Sequence, residues 1–333
     1  MTGIEVRELD RKDEDQVRTF WELERDAVAE RPYNDHLAWH AAKTYFPMDF
    51  PEWDRRFWMA WDGDRVVGTL SANGSTVDNL HRAHANVSVH PDRRREGIGS
   101  LLLDRARSWA GPEGRRVLAG EVFAPVGGTS PALAFAEHHG FGVVMEDGMK
   151  VVDIPGTRDT WGELAAECAP YHRDYELRTV WGPLPDDLVG GFVAIQNMFI
   201  SEAPSGDADV EDEVWDEARL RGIEARAEAA RRRDARTFAL ASGGEVAALT
   251  EAFVNETVPH RGLQSGTLVV PAHRGHRLGL AIKVANQRAM AERFPELEWL
   301  MTGNADVNVH MNAINDRLGY RVVERCLEVE KTI

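Results

Sequence analysis

Apolar and polar positions change period along this chain in a fixed order. Residues 4–9 alternate as a strand. Residues 14–30 place Val17, Phe20, Trp21, Leu23 and Val28 at helical spacing on an acidic background, which predicts an amphipathic helix. The stretch 36–50 is rich in aromatics: Trp39, Tyr45, Phe46 and Phe50. Two apolar runs, 56–61 and 66–70, flank Asp62-Gly63-Asp64 and read as a hairpin. A strand over 85–89 leads to a helix over 100–110, stopped by Gly111-Pro112. A strand over 117–123 and a helix over 131–139 follow, the helix ended by Gly140.

The order then restarts. Residues 154–174 carry Pro155, Gly156 and Pro170 and read as a connector with one short helix. From Tyr175 the chain predicts a helix over 188–199, a charged helix over 210–232, and a hairpin of 237–241 and 246–254 about Gly243-Gly244. A strand over 263–270, a helix over 278–294, a strand over 299–302, a helix over 309–318 ended by Gly319, and a strand over 321–329 complete it. Two stretches carry the same design in the same place. Pro91, Arg94 and Gly99 match Pro271, Arg274 and Gly279 at one offset of 180 residues. In each, a β-branched strand meets a proline, a basic turn with glycine, and a helix start. A helix start offers unpaired N–H groups and the positive end of its dipole, which suits a phosphate. Gly97 and Gly99 are expected to remove Cβ atoms where phosphates approach. No Lys-Ser/Thr follows the glycines, so neither loop is a Walker A, and neither is a dinucleotide fingerprint. A strand–helix turn with solvated arginines is the alternative reading. The repeat divides the chain into 1–153, a connector 154–174, and 175–333.

Arg94-x-x-Gly97-x-Gly99 after Val87-x-Val89-x-Pro91 resembles the acyl-CoA-binding motif of the GNAT acetyltransferase superfamily. The second loop departs from it: Arg277 stands where the first glycine belongs. Two such units resemble the tandem GNAT proteins. The resemblance implies an α/β (α+β) fold, two tandem GNAT-like domains, each a twisted, mostly antiparallel mixed sheet flanked by helices. It implies acetyl-CoA as the acyl donor. It implies a pyrophosphate site at Arg94, Arg95, Gly97, Ile98, Gly99 and Ser100, and a second at Arg274, Gly275, His276, Arg277, Leu278 and Gly279. It also implies that backbone N–H groups at Val87 and Val89, and at Leu268 and Val270, polarise the thioester carbonyl where the strands splay. Asn308, eleven residues before Gly319, matches an Asn that binds the cofactor arm in many members; it equally suits a helix N-cap. The tyrosine that acts as general acid in many GNAT enzymes is missing: Ala136 and Asn315 stand there.

Acyl transfer to an amine also needs a group that takes a proton. Glu251, mid-strand, is the candidate in the second copy, and His84 in the first; an edge-strand charge is the alternative for each. Glu202 and Asp207, in the loop 201–207, are candidates to receive an ammonium group. Asn308 and Glu251 favour the second copy as the catalytic one. The function expected is an acyl-CoA-dependent N-acetyltransferase acting on a small-molecule amine by direct transfer. A catalytically degenerate acyl-CoA sensor or structural protein is the alternative. The net charge is −16, from 39 Lys+Arg and 55 Asp+Glu, which disfavours nucleic acid and would draw cationic substrates. Two cysteines without ligand spacing suggest neither disulfides nor a metal. The first residues lack an apolar leader and no window is long and apolar enough to span a bilayer, so a cytoplasmic protein is expected, monomeric or homodimeric.

Overall fold

In this computed structural model residues 3–202 and 206–333 are described. The chain divides into two compact units that do not follow the repeat boundary. The first comprises residues 1–146, 206–211 and 326–333, and the second 147–205 and 212–325.

In the first unit, β1 (Ile4–Glu8) precedes α1 (Glu14–Ala27), whose N-terminus is capped by the Asp13 carboxylate, and α2 (Trp39–Tyr45). Then come β2 (Trp53–Asp62), β3 (Arg65–Ser75), β4 (Arg82–Val89), α3 (Ile98–Ala110), β5 (Val117–Ala124) and α4 (Pro131–His138). The next strand, β6 (Gly142–Asp153), passes from the first unit into the second. It has no counterpart among the expected elements, because Glu146-Asp147-Gly148 breaks its alternation. In the second unit the connector holds α5 (Ile154–Thr157) and α6 (Thr160–Cys168). There follow β7 (Glu176–Trp181), α7 (Asp186–Glu202), α8 (Glu217–Ala229), β8 (Arg232–Leu240), β9 (Val246–Asn255) and β10 (Arg261–Val269). After them come α9 (Leu278–Arg293), β11 (Trp299–Ala305), α10 (Val309–Arg317) and β12 (Arg321–Thr332), whose last residues belong to the first unit.

The charged helix expected from 210 starts only at Glu217. The Asp216 side chain caps it, accepting from Arg219 N–H at 2.7 Å, and Asn197 holds Trp215 by its N–H and its carbonyl. Strand order in the first unit is β1-β2-β3-β4-β5-β12, and in the second β6-β11-β10-β9-β8-β7. The pairs β4–β5 and β10–β11 are parallel; β1–β2–β3–β4 and β7–β8–β9–β10 are antiparallel. Each unit is thus closed by a strand from the other repeat. In the first unit α3 covers one sheet face with Ile98, Leu102 and Ala106 against Leu70, Ala72 and Ala83. Helix α1 covers the other with Val17, Phe20 and Leu23 against Phe57 and Met59. In the second unit α9 and α6 pack on one face and α7 on the other.

Both cysteines are free thiols, and no helix among the described residues is long and apolar enough to cross a membrane. Arg82, 3% exposed, pairs with Glu328 at 2.7 Å and with Glu330 on the last strand. Removing residues 326–333 is expected to strip a strand from the first unit and leave that guanidinium buried without its carboxylates, a loss of roughly 3–5 kcal/mol from the ion pairs alone. Thermal unfolding should show the first unit melting well below its normal temperature; an unchanged melting curve would show that the strand does not hold it.

Candidate active site

The ladder between β4 and β5 is short. It joins Arg82 to Val117, Ala83 to Leu118 and His84 to Ala119, and there it ends, although both strands continue. Beyond His84 the strands are split. The other edge of β4 stays paired with β3 without a break, from Asn73↔His84 to Gly68↔Val89. His90 N–H donates to Val67 carbonyl on that edge at 3.0 Å. Successive residues of a strand turn their N–H groups to opposite edges. Val87 and Val89 therefore turn theirs into the split.

The second unit has the same split: β10 and β11 pair from Arg261↔Trp299 to Leu263↔Met301 only. Here β10 carries a bulge between Gln264 and Thr267 against β9. Val270 N–H donates to Ala247 carbonyl at 2.9 Å, and the Leu268 side chain packs with Phe192 and Leu249. The expectation for Leu268 and Val270 is therefore corrected. Their N–H groups serve the β9 ladder, and those of Thr267 and Val269 turn to the split. The hydrophobic pattern shows which residues form a strand but not which edge each N–H faces.

Both loops begin with a single 3-10 turn and enter their helices through two left-handed residues. In the first these are Arg95 (φ 68°) and Gly97 (φ 84°); in the second, Gly275 (φ 89°) and Arg277 (φ 52°). Glycine and arginine have exchanged places across the repeat. Each loop keeps one glycine and accepts one strained arginine, a cost of order 1 kcal/mol or more. Arg277 thus preserves the backbone path rather than blocking it. Like α2 and α6, neither α3 nor α9 has a side-chain N-cap, whereas Asp13, Ser130, Asp153, Asp216 and Asn308 cap α1, α4, α5, α8 and α10. The first-turn N–H groups of α3 and α9 are left for another acceptor. Gly99 has a packing reason to be glycine as well. A Cβ there would stand 3.0 Å from the Phe135 ring, and one on Gly279 2.9 Å from Ile314, so both glycines let a second helix close in; a Cβ on Gly97 meets nothing.

The side chains around the loops differ. Arg93 is held by Glu96 and Asp62, while Arg94 reaches only the Ala27 carbonyl at 3.4 Å and Arg95 is exposed without a partner among the described residues. Ile98 is buried in the core and Ser100 Oγ lies 3.0 Å from His139 Nε2. In the second loop Arg274 is paired with Glu202, Arg277 with Glu167 while lying over the Tyr171 ring, and His276 Nδ1 meets the Tyr171 carbonyl at 3.1 Å. Leu278 is buried.

Glu251 lies opposite the bulge. One of its oxygens accepts from Arg236 Nε at 2.7 Å and the other from Gln196 at 3.1 Å. Arg236 is buried and also meets Glu224 at 3.3 Å. Glu251 is thus an ion-pair partner inside a polar core. His84 stands at the last rung before the first split, and burial with nearby Arg82 lowers its pKa to about 4, so it is neutral at pH 7. Asn308 caps α10, accepting from Met311 N–H at 3.2 Å. Glu202 is held by Arg274, whereas Asp207 is exposed and its N–H donates to Val144 carbonyl at 2.9 Å. Ala203, Pro204 and Ser205 of that loop lie outside the described residues. No cluster that could hold a metal occurs among the described residues.

A polar group inside the second unit escaped the sequence reading. Lys283, 1% exposed on α9, donates to Asn315 Oδ1 at 2.7 Å and lies over the Tyr320 ring; Asn315 in turn donates to Asn304 on β11 at 2.5 Å. Burial, with Lys150 nearby, lowers the ammonium to about 7. The signal was Lys283 within the apolar run Leu280-Ala-Ile-Lys-Val284. Asn315 stands where a GNAT tyrosine was expected, and the lysine explains why it must be an acceptor.

Residues 53–143 match the family model of the acetyltransferase (GNAT) domain. That stretch is similar to a GNAT acetyltransferase domain. A tandem GNAT protein from the clavulanic acid biosynthesis pathway, solved without AcCoA, is 24% identical, with a TM-score of 0.81 over 99% of this chain and 98% of that one. A GCN5-related N-acetyltransferase from Sphaerobacter thermophilus is 14% identical, with a TM-score of 0.65 over 99% and 95%. An acetyltransferase described as putative from Pyrococcus horikoshii is 12% identical, with a TM-score of 0.56 over 100% and 90%. No curated protein sequence matches. The whole chain has the tandem GNAT fold.

Glu251→Gln is expected to lower stability by about 1–3 kcal/mol, because buried Arg236 loses a charged partner; denaturant unfolding reads it, and no change would mean the pair contributes nothing. Lys283 has a folded pKa below its unfolded one, so the unfolded chain binds more protons between about 7 and the ordinary lysine value near 10.4. Stability relative to Lys283→Met should therefore rise with pH across that window, by melting temperature. A pH-independent difference would show the lysine ionised throughout.

Proposed function

We propose that this protein moves an acetyl group from acetyl-CoA to the amine of a small molecule, directly from thioester to nitrogen, and that the first unit takes the acetyl-CoA. The observation that carries this reading is the contrast between the loops. Arg94 and Arg95 are open to an anion, while Arg274 and Arg277 already hold Glu202 and Glu167. This reverses the order expected from Asn308 and Glu251, since one is a helix cap and the other an ion-pair partner.

The fit of the first unit rests on unsatisfied backbone groups. The uncapped start of α3 at Ile98, Gly99 and Ser100, reached through left-handed Gly97, offers N–H donors to a pyrophosphate, with Arg94 and Arg95 adding charge. The N–H groups of Val87 and Val89 in the split are placed to polarise a thioester carbonyl. Acetyl-CoA supplies an activated acyl group on a thiol leaving group of modest pKa. That leaving group suits a site with Ala136, and no phenol, at the usual acid position. The acidic surface favours a cationic amine.

Calorimetric titration of acetyl-CoA tests the reading. One site per chain is expected, weakened at least about tenfold by Arg95→Glu, a charge reversal beside the phosphates, and unaffected by Arg274→Ala. Two equal sites, or a site lost with Arg274→Ala and kept with Arg95→Glu, would overturn it.

A further inference from the structure

We propose that Glu24 of α1 is the catalytic base of the first unit, receiving a primary ammonium group and taking its proton; the assignment rests on the reading above. Helix α1 lies across β3 and β4. Val17 and Phe20 on its inner stripe are buried, and Phe20 meets the Phe57 ring edge-on at 5.8 Å. Glu24 continues that stripe one turn on, and Ala27, at its end, accepts from Arg94 of the phosphate loop. A carboxylate in an apolar stripe is out of place for packing.

The sheet face beneath it is polar. Leu70 and Ala72 of β3 pack towards α3, so Thr69, Ser71 and Asn73 turn towards α1. They stand opposite Ser88, Asn86 and His84 of β4. Phe57 and Met59 of β2, which belong to the α1 cluster, flank Ser71 and Thr69 in register. Thr69 is 0% exposed and its hydroxyl has no hydrogen-bond partner. Running from Phe20 past Glu24 to Ala27, α1 travels towards the Ser88 end of β4, where Val87 and Val89 open into the split. Glu24 therefore lies on the helix that crosses β3 and β4 and ends at the phosphate loop, over a sheet face with an unsatisfied hydroxyl.

The half-buried Glu24 carboxyl has no hydrogen bond or ion pair among the described residues. The charged and titratable groups on the elements packed against α1 are Arg65 on β3, Arg82 and His84 on β4, and His40, Lys43 and Tyr45 on α2, with Arg94 of the phosphate loop at the helix end. None of them pairs with it, and burial alone raises its pKa to about 8. A base in that range suits an amine at neutral pH. The ionised carboxylate takes one proton from the ammonium group. The freed nitrogen attacks the thioester carbon, the N–C bond forms and the C–S bond breaks. The second nitrogen proton goes to the leaving thiolate, and Glu24 returns its proton to water. In the second unit the strand carboxylate Glu251 is instead held by Arg236.

The test compares wild type with Glu24→Gln in the full chain. Infrared difference spectra should show a protonated carboxyl at neutral pH that ionises as pH rises through about 8 and is absent from the variant. CoA release from acetyl-CoA with 2-phenylethylamine as acceptor should fall at least about a hundredfold in the variant. The wild-type kcat/KM should climb with pH through the same ionisation, and that limb should vanish in the variant. Acetyl-CoA affinity should stay the same in both. Equal rates and pH profiles, or no protonated carboxyl that the variant removes, would overturn the assignment of Glu24. Failure of wild type to bind acetyl-CoA would instead sink the cofactor reading, leaving the carboxyl titration as observed.

Discussion

A parallel strand pair that stops early is the constraint on which the rest of each unit depends. A strand edge released inside a fold exposes N–H groups that must find another acceptor. Here the release happens after His84 in one unit and after Leu263 in the other. Each split leads through its loop to a helix whose first turn has no side-chain cap. Two sets of unsatisfied donors, one along the strand and one at the helix, define a path suited to a ligand with carbonyls in its arm and phosphates at its end. The strand supplied by the opposite repeat closes the sheet beyond the split.

The two units share this backbone and diverge in what surrounds it. The left-handed positions of the loops persist while their residues exchange, Arg95 with Gly97 in one and Gly275 with Arg277 in the other. Geometry has been kept at the level of φ rather than of residue type. The first loop leaves its cations open, and the second neutralises them with Glu167 and Glu202. Beneath the helices, the second unit buries Lys283, Asn286 and Asn315, where the corresponding residues of the first are Leu103, Ala106 and Ala136. A polar interior of that kind fixes side-chain orientation at the cost of desolvating an ammonium group. Such divergence fits one unit that handles substrate and another that has become a scaffold.

The elements around the loops were legible because period and punctuation agreed there: β-branched runs, proline, glycine, then an amphipathic helix. Strand β6 was not, since Asp147 and Gly148 interrupt its alternation, and its partner β11 is distant in sequence. The edge faced by each N–H is equally hidden: the pattern points to Leu268 and Val270, while the register past the bulge in β10 gives the split to Thr267 and Val269. Glu251 looked like a base because the sequence shows a carboxylate in a strand and not the arginine beside it. Glu24 was overlooked because charge on an acidic helix reads as solvated surface; only the stripe through Val17 and Phe20 gives it away.

Amide hydrogen exchange on adding acetyl-CoA tests the central claim most directly, since it reads the backbone donors themselves. Protection should appear at Val87 and Val89 and across the start of α3, while Thr267, Val269 and the start of α9 keep their exchange rates. Protection confined to the second unit, or absent from both splits, would contradict it.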